Sequence, residues 1–171
     1  MRFLPTSLSL LRLFAAAPAA MLTIHDWFTA ALIVCVSASL SDFLDGYLAR
    51  RFGWVSQSGA WADAVADKVY LGVLFLALMA RGLVPEWFVA LLIGRDLMIL
   101  LLAAIGLALR MRDFPPSFWG KLSTAVQMAF SVGILARLHF SLAPLLGLCV
   151  LTTAWSGLHY FYSAFARWSR L

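Results

Sequence analysis

The sequence predicts an all-α integral membrane protein of six transmembrane helices with both termini in the cytoplasm. Three observations carry this reading. Hydrophobic residues make up 63% of the 171 and charged residues only 12%, whereas a soluble globule covers its surface with roughly a quarter charged residues. The apolar residues fall into six runs joined by short connections, each near the ~20 residues that cross a bilayer. Basic residues near the helix ends divide unevenly: Arg2, Arg50, Arg51, Arg110, Arg112, Lys121, Arg167 and Arg170 fall on the side holding both termini, against Arg81 and Arg137 on the other. An excess of Lys and Arg marks the cytoplasmic side.

Punctuation by Pro, Gly and charge sets the elements at residues 4–22, 27–51, 60–80, 86–109, 118–137 and 142–164. The first begins like a secretory signal, with Arg2 ahead of an apolar stretch ending in Ala-Ala-Ala-Pro-Ala-Ala, but Arg12 interrupts it and five more apolar segments follow; it reads as a retained helix. The second and third carry acidic residues at their facing ends. The fourth contains Arg95 and Asp96, the fifth opens on Trp119-Gly120-Lys121, and the sixth has a polar stripe of Thr152, Ser156, His159 and Ser163. That stripe suits interhelical hydrogen bonding as well as a substrate. Trp54, Trp119, Tyr162 and Trp168 near one interface, with Trp27 and Trp87 near the other, fit aromatic belts. With so little chain outside the bilayer, any chemistry belongs to the helices and their ends. Cys35 and Cys149 lie in different apolar runs without metal-ligand spacing and read as buried small hydrophobes. The net charge of +5 is spread among the loops, which points to membrane lipid and phosphate as partners and away from nucleic acid.

Four aspartates stand out. The run Asp42-Phe-Leu-Asp45-Gly46-Tyr-Leu-Ala49-Arg50 is followed, after eight residues, by Gly59-Ala-Trp-Ala-Asp63-Ala-Val-Ala-Asp67. Helical spacing puts Asp42, Asp45 and Ala49 on one face of the second helix and Gly59, Asp63 and Asp67 on one face of the third. At 1.5 Å per residue, Asp45 and Asp42 lie about 9 and 13 Å from Arg51, and Asp63 and Asp67 about 6 and 12 Å from Gly59, so the pairs share one layer. Carboxylates converging in a bilayer have to be protonated, salt-bridged or neutralised by cations. Divalent metal is the economical answer, and oxygen-only ligands suit Mg²⁺, Mn²⁺ or Ca²⁺. Gly46, Ala49 and Gly59 are small where a ligand needs close approach, and Arg50 can grip phosphate oxygens. The plainer reading is interfacial ion pairing of Asp42 and Asp45 with Arg50 and Arg51.

The run resembles the signature of the CDP-alcohol phosphatidyltransferases, Asp-x-x-Asp-Gly-x-x-Ala-Arg, a spacer, then Gly-x-x-x-Asp-x-x-x-Asp, with every fixed position filled. The resemblance implies a homodimer of six-helix chains and a site for two divalent cations, Mg²⁺ or Mn²⁺, held by Asp42, Asp45, Asp63 and Asp67. It implies that Asp42, Gly46, Ala49, Arg50 and Gly59 bind the CDP-diacylglycerol donor. It also implies Asp67 as general base, taking the proton of an acceptor hydroxyl that attacks the lipid-side phosphorus, with release of CMP.

Leu4-Pro5-Thr6-Ser7-Leu8-Ser9-Leu10-Leu11-Arg12, with Leu4 where Asn is usual, and Trp119-Gly120-Lys121-Leu122-Ser123-Thr124-Ala125-Val126-Gln127 resemble the branch of cardiolipin and phosphatidylglycerophosphate synthases. Within it, Ile93-Gly94-Arg95-Asp96 and the stretch from Thr152 to Tyr162 are similar to the CMP-forming cardiolipin synthases. Phosphatidylglycerol is therefore the first-choice acceptor and sn-glycerol 3-phosphate the second. Arg12, Arg95 and Lys121 are the acceptor candidates, although Lys121 also suits a positive-inside anchor and Arg95 a mid-membrane pair with Asp96 or Lys68. A divalent-cation transporter is the remote alternative, but its carboxylates should line a path across the whole membrane. The bacterial inner membrane is the expected location, with the active site facing the cytoplasm.

Overall fold

A computed structural model of the chain describes the backbone of residues 4–51, 57–108, 118–138 and 142–168, and side chains within 12–41, 65–106, 118–138 and 142–166. The described residues form six helices: α1 (Leu4–Ile24), α2 (Phe28–Arg51), α3 (Gln57–Ala80), α4 (Glu86–Ala108), α5 (Phe118–Leu135) and α6 (Ala143–Trp168). Their number and order match the sequence expectation. The largest departures are at the start of α3, three residues early, and the end of α6, four residues late. Neither Gln57-Ser58-Gly59 nor Phe165-Ala166-Arg167-Trp168 continues an apolar run, yet both stay helical because propensity does not stop at a membrane boundary.

Three helices end in the same way. In α1, α3 and α5 an amide just past the helix end reaches back five positions, Trp27 N to Leu22 O at 2.9 Å, Leu83 N to Leu78 O at 3.0 Å and Leu138 N to Gly133 O at 3.3 Å. The residue just before each donor is left-handed: Gly82 at φ 67°, Asp26 at 64° and Arg137 at 49°. This is the Schellman arrangement, in which glycine is usual. Asp26 and Arg137 hold it with side chains attached, at a cost on the order of 1 kcal/mol each.

Two compact units divide the described chain. The first comprises Met1–Val84 with Ser131–Leu138. Here α1 packs along both α2 and α3, and the buried positions are mostly small, Ala16 and Ala19 on α1, Ala31, Cys35 and Ala38 on α2, Ala66 and Ala77 on α3. Small residues let helix backbones approach closely, the packing mode of helices that cannot rely on a hydrophobic driving force. Tyr70, Leu74, Phe75 and Leu78 of α3 fill the remaining core.

The second unit comprises Pro85–Phe130 with His139–Leu171, and there α4 packs on α6. Phe88 meets Phe130 edge-on at 5.9 Å, and Trp119 meets Trp155 at the same distance. A polar knot lies inside: the Gln127 side-chain amide donates to Ser123 Oγ at 3.1 Å and to Thr153 Oγ1 at 3.0 Å, with all three residues buried. The outer faces are apolar, as Leu97 and Leu101 of α4 and Leu151, Leu158 and Phe165 of α6 are more than 60% exposed. Among the described residues Glu86–Gly106 of α4 is long and apolar enough to cross a membrane by composition alone, with mean hydropathy 2.3. Arg12–Ile24 and Phe28–Ser41 are shorter apolar stretches among the described residues. Both cysteines are buried, as their setting in apolar runs implied.

Candidate active site

The two acidic motifs sit on helices, as their spacing required. Asp42, Asp45, Gly46, Ala49 and Arg50 belong to the last three turns of α2; Gly59, Asp63 and Asp67 belong to the first three of α3. Of these side chains only Asp67 is among those described, so the convergence of four carboxylates and the donor contacts of Gly46, Ala49, Arg50 and Gly59 lie outside the described residues.

Asp67 carries the most informative contact of the molecule. Its Oδ1 accepts a hydrogen bond and salt bridge from Arg12 Nη1, across 55 residues of sequence. The Arg12 side chain is 4% exposed and that of Asp67 27%. A guanidinium this buried has to find an anionic or strongly accepting partner, and α1 packed on α3 supplies one. Arg12, expected among the acceptor candidates, is thus placed as a partner of the Asp67 carboxylate. The remaining exposure of Asp67 leaves carboxylate surface open to a ligand. An oxygen donor of this kind fits a hard divalent cation. Among the described residues no three His, Cys, Asp or Glu side chains group together.

One turn beyond Asp67 stands Tyr70, fully buried on α3 with its hydroxyl beside the Cys35 thiol of α2. A tyrosine at i+3 from an aspartate was the available signal for it, but such a pair is common in apolar helices and points to nothing by itself.

The second unit holds the other two acceptor candidates. Arg95, buried in α4, donates from Nη1 to Asp96 Oδ1 at 2.6 Å and from Nη2 to Ser156 Oγ at 2.5 Å, while its buried Nε has no partner among the described residues. Two glycines stand against it. A Cβ on Gly157 would stand 3.5 Å from Arg95 Cγ, and one on Gly120 would stand 3.6 Å from Arg95 Nη2 and 3.3 Å from the Tyr160 ring. Lys121, next to Gly120, is exposed. Asp96 thus pairs with Arg95, the plainer of the readings open from the sequence.

The polar stripe of α6 requires a correction of register. Ser156 faces inward to Arg95, but its buried companions are Thr153 and Gly157, with Tyr160 half-buried. Thr152 turns back on its own helix, bonding the Leu148 carbonyl at 2.8 Å, and His159 is exposed. The outward positions of α6, Leu151, Trp155, Leu158 and Phe165, are more apolar than the buried Thr153, Ser156 and Gly157, so the usual rule that the apolar side faces in points the wrong way here.

Residues 2–157 match the family profile described as CDP-alcohol phosphatidyltransferase. The chain belongs to that family. CDP-alcohol phosphatidyltransferases are membrane-embedded enzymes of phospholipid synthesis, in keeping with the composition and the apolar outer faces. Among curated relatives, the chain is 32% identical over 133 residues to a probable phosphatidylglycerophosphate synthase of Mycobacterium tuberculosis, covering 74% of this chain and 62% of that one. It is 31% identical over 187 aligned positions to the CMP-forming cardiolipin synthase of Rattus norvegicus, covering 93% of this chain and 60% of the relative. It is 32% identical over 146 residues to the CDP-diacylglycerol–glycerol-3-phosphate 3-phosphatidyltransferase of Escherichia coli, covering 80% and 79%. The chain spans about 60% of the length of the first two.

Proposed function

We propose that this chain transfers a phosphatidyl group from CDP-diacylglycerol to the hydroxyl of a glycerol-type acceptor, releasing CMP, with phosphatidylglycerol as acceptor and cardiolipin as product. The observation that carries the reaction type is the complete acidic signature on α2 and α3, with its last member, Asp67, fixed by the buried Arg12.

Asp42, Asp45, Asp63 and Asp67 would hold two divalent cations, Mg²⁺ or Mn²⁺. When bound, such ions supply the positive charge that a diphosphate losing CMP needs. The residues of the chain do the rest. Gly46, Ala49 and Gly59 leave room for the cytidine diphosphate portion, and Arg50 is suited to its phosphate oxygens. Asp67 takes the proton from the acceptor hydroxyl as that oxygen bonds to the lipid-side phosphorus. The bond from that phosphorus to the bridging oxygen breaks, and its electron pair leaves with CMP. Arg12 keeps the Asp67 carboxylate in one orientation, which matters because a 1 Å misplacement of a reacting group is worth about a hundredfold in rate.

The choice of phosphatidylglycerol rests on the likeness to the rat cardiolipin synthase along 93% of this chain and on the Arg95–Asp96 pair in α4. The second reading, sn-glycerol 3-phosphate as acceptor, is favoured by the likeness to the Escherichia coli enzyme over 79% of that protein. Arg95 and Lys121 are the groups proposed to meet an acceptor phosphate. We propose further that the chain is a homodimer of six-span protomers in the bacterial inner membrane, with both termini and the site on the cytoplasmic side. The deciding experiment offers phosphatidylglycerol and glycerol 3-phosphate in parallel to the purified chain with CDP-diacylglycerol and Mn²⁺, and identifies products by mass spectrometry. Cardiolipin is the expected product. Phosphatidylglycerophosphate alone would reverse the ranking, and CMP release with neither acceptor would refute both.

A further inference from the structure

The first unit has a second charged centre, at the end opposite the aspartates. Asp26 follows α1, Arg81 follows α3, and Arg137 follows α5. The Arg81 Nη2 donates to both carboxylate oxygens of Asp26, at 2.6 and 2.5 Å. The Arg137 guanidinium lies 4.4 Å over the ring of Phe28 and has no ion pair or hydrogen bond among the described residues. Asp26, Phe28, Arg81, Leu83, Ile134 and Arg137 line a cavity of about 340 Å³. Along α2, Phe28 is fourteen residues from Asp42, about 21 Å at 1.5 Å per residue, so this is not part of the aspartate site.

Three features make it more than a solvated turn. Asp26 and Arg137 occupy left-handed positions, where the third helix of the set uses glycine, so two charged side chains are kept at positions whose backbone favours having none. Stacking on Phe28 fixes the plane of Arg137 and leaves its N–H edge open, the arrangement suited to two oxygens of one phosphate. The charges of Asp26, Arg81 and Arg137 sum to one positive, which matches a monoanion. Around the rim, Ile24, Trp27, Leu83 and Leu138 are more than 40% exposed, an apolar collar beside a cationic centre. Free phosphate has no use for such a collar, whereas an acyl chain does.

We propose that this end binds one anionic phospholipid through its phosphodiester headgroup, with Arg137 and Arg81 on the phosphate and the acyl chains along Ile24, Trp27, Leu83 and Leu138. The site lies at the end of the first unit opposite the aspartates, about 21 Å along α2 from Asp42, so its test does not depend on the catalytic reading.

The full chain, in neutral detergent, is examined by native mass spectrometry with phosphatidylmethanol, a phosphodiester monoanion with no hydroxyl to accept a phosphatidyl group. Phosphatidylcholine of the same chain length and inorganic phosphate are run in parallel. The wild-type chain retains phosphatidylmethanol in preference to phosphatidylcholine, and Arg137→Gln weakens that retention about tenfold or more, as expected for losing a charge-assisted hydrogen bond. Asp26→Asn, which frees Arg81 and raises the local charge, tightens it. Unchanged binding by Arg137→Gln, equal retention of phosphatidylcholine, or displacement of the lipid by equimolar inorganic phosphate overturns the proposal. If Arg137→Gln does not fold, Asp26→Asn decides: tighter binding supports the site, and equal or weaker binding overturns it.

Discussion

Removing the negative charge of Asp67 will destabilise this protein more than removing the positive charge of Arg12, and removing both will cost less than the sum. The two partners differ in burial, 4% exposed for Arg12 against 27% for Asp67. Asp67→Asn deprives a nearly fully buried guanidinium of its anion, for which about 3–5 kcal/mol is the usual penalty. Arg12→Met deprives a carboxylate that still touches water, for which about 1–3 kcal/mol is expected, and methionine keeps much of the apolar stem in place. With both replaced there is no buried charge left to compensate. The double variant should therefore be about 2–3 kcal/mol more stable than the sum of the single losses predicts, within the range of couplings measured between contacting residues. The assay is reversible denaturation of the four proteins in detergent with EDTA present, so that added metal does not contribute to any of them. Additivity within about 0.5 kcal/mol would falsify the pairing as an energetic fact, and a larger loss for Arg12→Met would refute the burial argument.

Asp63→Asn should abolish CMP release while the chain stays folded, and EDTA should silence the wild type reversibly; near-normal turnover in either case removes the two-cation reading. Lys121→Ala, at an exposed position with little effect expected on stability, should raise the acceptor concentration needed for half-maximal rate more than that of the donor, and equal changes would argue against an acceptor role. Ser156→Ala should cost about 1.5–3 kcal/mol, because it strips a hydrogen bond from a guanidinium whose Nε already lacks one among the described residues. A change under 0.5 kcal/mol in thermal unfolding would mean that Arg95 does not rely on it.

The six helices were legible because a bilayer imposes a length on apolar runs, and Pro, Gly and charge cut this sequence at that length. The helices that carry the acidic motifs were legible because i+3 and i+4 spacing suits a helix. What sequence could not supply was partnership between helices. Arg12 and Asp67 meet across 55 residues, and nothing local to either distinguishes an acceptor-binding arginine from one that holds a carboxylate. The register of α6 was missed for a related reason. Thr152 and Thr153 are alike in sequence, and only α5, presenting Gln127 and Ser123 to Thr153, tells them apart. Tyr160, Gly120 and Gly157 were not singled out because a glycine beside an arginine looks like any other glycine in an apolar helix.

The pairing of Arg12 with Asp67 also has a timetable. An arginine inside a membrane helix raises the cost of inserting that helix by about 2.5–3.5 kcal/mol at its centre, and the carboxylate that offsets it is made 55 residues later. At 5–20 residues per second that is roughly 3–11 s of synthesis. For that interval Arg12 is without the carboxylate of Asp67, and α1 can settle against α3 only after the chain that completes the acidic motif has emerged.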